Sequence, residues 1–184
     1  CCTGGVTVPA GGAFVVRTPI AGDGTPGNGE TFTLTATPTG GTAGTGTATI
    51  KEDGTGTIFK PDGTVDTTTT PDDDRPATVT SPTVNEGSPY AVFTVGGTAG
   101  QSIALGLSDV TATGSGTDYG AGLEFSIDGG TSWTSYTAAV TVPAGGTFLV
   151  RTPIADDGTP DNGETFTLTA TPTGGTAVTG TATI

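Results

Sequence analysis

At 184 residues, with 33 glycines, 13 prolines, abundant threonine and 32% hydrophobic residues, the chain can form one thin-cored domain plus additional material. Its 18 acidic and 5 basic residues give a net charge of −13, which argues against nucleic acid and anionic membranes as partners, because both need basic patches. It has no histidine, the commonest general base, and no apolar run approaching the ~18 residues of a membrane-inserting helix.

Cys1 and Cys2 come first. Adjacent Cα atoms lie about 3.8 Å apart, too close for an unstrained disulfide, so the pair gives no evidence about redox compartment. With neither an initiator Met nor a signal peptide, the chain reads as an excised piece. A reactive thiol pair is the alternative reading of the two cysteines. Residues 6–8, 14–20, 31–37 and 45–50 run apolar or alternate, and predict strands. GTGTIFK at 54–60 predicts one more. PDGTVDTTTTPDDDRP at 61–76 has the Pro, Asp and Thr content of a linker. A second series is predicted at 79–84, 90–95, 103–110, 123–127, 133–136, 140–142, 148–154, 165–171 and 179–184. Spacing of about 8–12 residues with turn signals between is the pattern of an antiparallel β-sandwich. ETFTLTAT at 164–171 alternates best: Phe166, Leu168 and Ala170 share one face, and the threonines share the other.

Residues 6–50 and 140–184 are nearly the same sequence. At an offset of 134, 40 of 45 positions match; only 13/147, 15/149, 22/156, 27/161 and 44/178 differ. Such identity predicts tandem duplication with a unit of about 134 residues. Residues 1–60 then read as the C-terminal half of a preceding repeat, 61–76 as the linker, and 77–184 as a sandwich domain lacking its last strand. One front half (77–136) faces two back halves, so 3–59 could pair with 77–136 in a permuted or exchanged fold instead. The partners expected are neighbouring repeats of the same chain.

Two motifs carry chemistry. SIDGGTSW (126–133) resembles the Asp-box, with Ser132 in the Thr place. In sialidase-like propellers that motif is a hairpin turn. Here Asp128 can cap turn amides, Gly129 and Gly130 can take positive φ, and Trp133 can pack beneath. Sialidase chemistry would need an arginine cluster, and the chain has only Arg17, Arg75 and Arg151. IADDGTPDNGE (154–164) packs Asp156, Asp157, Asp161 and Glu164 into one turn. Carboxylates this dense repel unless a cation compensates them, and Ca²⁺ takes six to eight oxygens. The loop is a Ca²⁺ site or a solvated turn. A glycosidase pair is disfavoured, because the flanking strands supply few aromatics for a sugar cleft.

The ordered set VNEGSPYAVFTV (84–95), GTDY (116–119), VTVPAGGTFLVRTPIADDGTPDNGETFTLTAT (140–171) and GTATI (180–184) resembles the Calx-beta domain. The resemblance covers 84–184, and its back half covers 6–50. It implies an all-β, Ig-like sandwich. It also implies Ca²⁺ ligands at Glu86, Asp118, Asp156, Asp157 and Asp161, with weaker ones at Asp23, Glu52 and Asp53. Gly22 and Gly27 replace two of the acids in the first copy. Similar domains recur as extenders in large repeats-in-toxin-type bacterial adhesins. The expected function is therefore a non-catalytic stalk repeat, stiffened by Ca²⁺, that supports cell adhesion and biofilm formation. A glycan- or protein-binding module and a Ca²⁺ sensor are the alternatives.

Overall fold

The structure, a computed structural model, describes residues 4–22, 25–27, 29–156, 158 and 163–184. Among these residues the fold is all-β, as expected, with thirteen strands. The first region holds β1 (Thr31–Ala36), β2 (Gly44–Thr49), β3 (Ile58–Phe59) and β4 (Val65–Asp66). The front half supplies β5 (Thr78–Val79), β6 (Tyr90–Gly96), β7 (Ser102–Asp109), β8 (Glu124–Ser126) and β9 (Thr134–Ser135). The second copy supplies β10 (Val140–Thr141), β11 (Thr147–Pro153), β12 (Thr165–Pro172) and β13 (Val178–Thr183).

Strands β5 to β13 make a two-layer antiparallel sandwich. One sheet runs β10-β7-β12-β13, and the other runs β5-β6-β11-β8-β9. The second copy provides β11 and β12, each flanked by front-half strands: β11 by β6 and β8, and β12 by β7. Strand β12 buries Phe166, Leu168, Ala170 and Pro172 in strict alternation, while its threonines stay half-exposed. Opposite them lie Phe93, Val95, Phe148 and Val150, all buried. Phe166 centres the core: Phe93 meets it edge-on at 6.0 Å, and Tyr119 stacks on it at 4.1 Å. Such aromatic pairs add about 0.5–1.5 kcal/mol beyond the area they bury.

After β5 the chain changes sheets. Residues 80–84 leave β6 and run parallel to β13, with Val84 N–H donating to Thr183 O (2.8 Å) and Thr183 N–H to Pro82 O (3.0 Å). Gly180 makes this crossing possible, since a Cβ there would collide with the Thr80 carbonyl.

The first copy behaves differently with nearly the same letters. It forms the hairpin β1–β2 in the register of β12–β13: Phe32 faces Ala48 as Phe166 faces Ala182. Residues 6–8 and 14–20, expected as strands from their apolar pattern, are not strands, although their counterparts form β10 and β11. The reason is partnership. The counterparts take their ladders from β6, β7 and β8, and in this chain those edges are occupied by the second copy. A hairpin closes locally, whereas an edge strand without a ladder gains nothing from propensity alone. Phe32 and Leu34 remain exposed, forgoing the roughly 1.5–3 kcal/mol that each such side chain contributes when buried.

The region expected as a strand at 54–60 is strand only at Ile58–Phe59, where it pairs with β4 from the linker. The linker itself is built from Asx turns. Asp62 accepts from Thr64 N–H (2.9 Å), and Asp66 accepts from Thr68 N–H (2.8 Å) and the Thr69 hydroxyl (2.9 Å). These bonds, led by the Thr68 hydroxyl, lower the Asp66 carboxyl to about 2.

Candidate metal centre

Strand directions divide the sandwich loops between two ends. The turns at 97–101, 143–146 and 172–177 share one end, where the linker arrives. The other end carries the loops at 84–89 and 110–119, the described residues 153–156 and 163–164, and Ile184.

At this second end three of the expected ligand-bearing segments are joined by backbone bonds. Tyr119 bridges to Ile154, and Ala155 N–H donates to Asp118 O at 2.9 Å. Ile154 N–H reaches Pro89 O at 3.3 Å, linking the turn that carries Glu86. That turn is set by Asn85, whose side chain accepts from Gly87 N–H at 3.0 Å. Asp118 is buried, and its carboxylate accepts the Thr113 amide, closing the 113–118 loop. Glu86 is half-buried and Asp156 is exposed. Asp157 and Asp161 lie outside the described residues, as does Asp23. Among the described residues no three acidic side chains converge closely enough to hold a metal ion. The donors on the placed segments are carboxylate oxygens, which suit a hard cation such as Ca²⁺.

Next to Asp118, Tyr119 is buried and its phenol donates to the Asp109 carboxylate. Asp109 also accepts Gly114 N–H at 3.0 Å, so one carboxylate ties β7 to the loop that follows it. Burial pushes the Tyr119 phenol well above its ordinary range, and the bond to Asp109 adds to the shift. Sequence reasoning placed this tyrosine in a motif but did not find its partner ten residues upstream.

Glu52 and Asp53 stand elsewhere, at the linker end. Asp53 bridges to Asp73, pairs with Lys51 at 3.4 Å and caps Thr55 N–H at 3.1 Å; Glu52 accepts Gly27 N–H. They therefore do not join Glu86, Asp118 and Asp156. What they join is a fastening of the linker. Gly54 N–H donates to Asp72 O (2.8 Å), Asp74 N–H to Glu52 O (3.1 Å) and Asp73 N–H to Thr173 O (3.0 Å). The Asp73 carboxylate takes Arg75 Nε at 2.8 Å and Nη2 at 2.6 Å, and this bond raises the arginine's already high pKa. Gln101, fully buried, donates to Arg75 O and accepts Thr98 N–H at 3.1 Å. DDDRP has the composition of a linker, and nothing in its sequence pointed to this contact with Gln101.

The Asp-box turn forms as its residues suggest. Asp128 accepts Ser132 N–H (2.9 Å), the Ser132 hydroxyl (2.6 Å) and the Ser126 hydroxyl (2.7 Å), while Gly129 and Gly130 take φ of 72° and 92°. These bonds, the Ser132 hydroxyl first, hold the Asp128 carboxyl far below the usual range.

A groove of about 710 Å³ opens beside β7, lined in part by Tyr90, Leu105, Leu107, Leu123 and Tyr136. The Tyr136 hydroxyl crosses it to accept Leu105 N–H at 2.8 Å.

No protein-family model matches the chain, and no curated protein is significantly similar to it.

Proposed function

We propose that the chain is a non-catalytic extender repeat from the stalk of a secreted bacterial surface adhesin, with Ca²⁺ held at the sandwich end that carries Asp118. The observation that carries this reading is the near-identity of 6–50 and 140–184 on either side of one front half. Near-identical tandem units serve length and repetition better than they serve a unique active site. The fastening through Asp73, Arg75 and Gln101 supports it, because a stalk needs joints that hold an angle.

The Ca²⁺ part is tested by melting the chain in millimolar Ca²⁺ and in excess chelator. Binding to the folded state alone adds about 2.7 kcal/mol at a hundred times Kd. The shift should shrink in Asp118→Asn and in Asp157→Asn. An unchanged melt would reduce the acidic loop to a solvated turn. The stalk part is tested by small-angle scattering, where a fixed joint gives an elongated particle and a hinged joint gives a spread of shapes.

The groove beside β7 favours a second reading, a glycan- or peptide-binding module. Titration with oligosaccharides and extended peptides, followed by Trp133 emission, decides between the two.

A further inference from the structure

We propose that the edge of β7 is a strand-addition site, where a short, extended, basic peptide pairs as a further strand of the four-stranded sheet and fills the groove alongside. This site rests on the second reading above, the groove as a binding surface, and lies wholly within the sandwich of 77–184. The two sheets have four outer edges, and three of them are blunted. Strands β5 and β9 are only two residues long. Strand β13 is covered by residues 82–84, through Val84 N–H to Thr183 O and Thr183 N–H to Pro82 O. The fourth edge is held by β10, which accompanies the eight-residue β7 only at Ser102 and Ile103. Among the described residues no strand flanks 104–109 on that side. This stretch has no proline and no lysine, the usual guards of a bare edge, and its one charge, Asp109, comes at its end.

The backbone of a strand presents its polar groups to either side in alternation. Ser102 O accepts Thr173 N–H at 3.0 Å, so the even positions of β7 bond toward β12. The odd positions face the other way. Gln101 O accepts Val142 N–H at 2.8 Å, and Leu105 N–H donates to the Tyr136 hydroxyl at 2.8 Å. That hydroxyl stands where the carbonyl of a neighbouring strand would stand, and it satisfies one donor. Leu105 O and both backbone groups of Leu107 face the groove in the same sense, next in line for a neighbouring backbone. A regular row of N–H and C=O groups matches another extended chain better than it matches the hydroxyls of a sugar.

Side chains and charge specify the peptide. Leu105 and Leu107 pack against the core yet are only half-buried, as are Leu123 and Tyr136, which line the same groove. The sandwich is thus open along this side, between its two sheets. An added strand would turn every second side chain inward onto these four residues, so those positions of the peptide are apolar. Asp109 and Glu124 also line the groove, and among the described lining residues there is no lysine or arginine. On a chain of net charge −13 this favours lysine or arginine at the peptide's outward positions. The open stretch, 104–109, is about 20 Å long, the span of an ordinary strand.

The test uses the full chain and a capped eight-residue peptide in which valine alternates with lysine. Amide hydrogen exchange, read residue by residue by NMR, reports on the edge. Exchange at the Leu107 amide should slow on addition of peptide and saturate at one peptide per chain. N-methylation of every second peptide residue keeps the side chains but removes one row of donors. In the frame that faces β7 it should weaken binding at least about tenfold, and in the other frame it should change little. Glutamate in place of lysine should weaken binding several-fold, and added salt should narrow that gap. An unprotected Leu107 amide, equal binding in both N-methylated frames, or equal binding of the lysine and glutamate peptides would overturn the proposal. If oligosaccharides then perturb the groove, the second reading survives without strand addition; if neither ligand does, both fall. Protection of Leu107 that grows with chain concentration alone would assign the edge to a second copy, and would overturn the peptide claim as well.

Discussion

The guanidinium carbon of Arg151 lies 4.1 Å from the centre of the Trp133 ring and 3.9 Å from that of Tyr90. Its Nη2 meets Glu124 at 2.7 Å. One side chain thus joins β6, β8 and the Asp-box turn on the outer face of the five-stranded sheet. Each cation–π contact at such a site is worth about 0.5–1 kcal/mol, and a partly exposed ion pair less than about 1. Arg151→Ala should cost roughly 1–2 kcal/mol, read as a several-degree drop in Tm with a red shift of Trp133 emission. Arg17→Ala, at the matching place in the first copy, should change neither.

The same contrast applies to the core. Phe166→Ala removes the ring that Phe93 and Tyr119 pack against, and should cost about 3–5 kcal/mol. Phe32→Ala should cost under about 0.5 kcal/mol. Melts at concentrations low enough to keep chains apart make the comparison.

At the joint, Gln101→Ala leaves the Arg75 carbonyl without its buried donor, a loss of about 1–3 kcal/mol. The linker should then undock without unfolding the sandwich. Limited proteolysis should cut near 55–75 faster in Gln101→Ala and Asp73→Ala, while the melt of 77–184 moves less.

Tyr119 makes the fold sensitive to alkali. Its folded pKa is raised above the ordinary value of 10, because burial and the Asp109 bond favour the protonated phenol. The folded state therefore holds its proton more tightly, and the resulting stability is complete below pH ~10. It is lost as pH climbs from there toward the raised folded value. Of the three tyrosines, one should titrate late in an absorbance series, together with unfolding. Tyr119→Phe should remove the late step.

Much of the sandwich was legible because its signals are local. The alternation of Phe166, Leu168 and Ala170 needs only the pleat, and the Asp128 turn needs only eight consecutive residues. What could not be read from 6–20 was the absence of strands, since the same letters at 140–154 do form them; the difference lies in which edges of 77–136 are occupied. The fastening of the linker was not legible for a related reason. Asp72, Asp73 and Asp74 look like solvent-facing charge until Thr173 and Gln101, far along the chain, are brought beside them. At the candidate site the meeting of the Glu86, Asp118 and Asp156 segments at one end followed the family resemblance. The burial of Asp118 on the Thr113 amide and the Asp109–Tyr119 pair depend on loop closure that no spacing reveals.

The change of sheets at residues 80–84 has a mechanical consequence. This segment lies parallel to β13, so the chain entering the domain is bonded beside its last strand while position 77 and Ile184 sit at opposite ends. A pull applied along that axis loads the Val84–Thr183 and Thr183–Pro82 bonds, and the Thr181–Ser81 bond beside them, in shear. They must yield together instead of opening one by one from an end. Resistance to stretching is then set by the height of one concerted barrier, a property of the unfolding rate that equilibrium stability does not report.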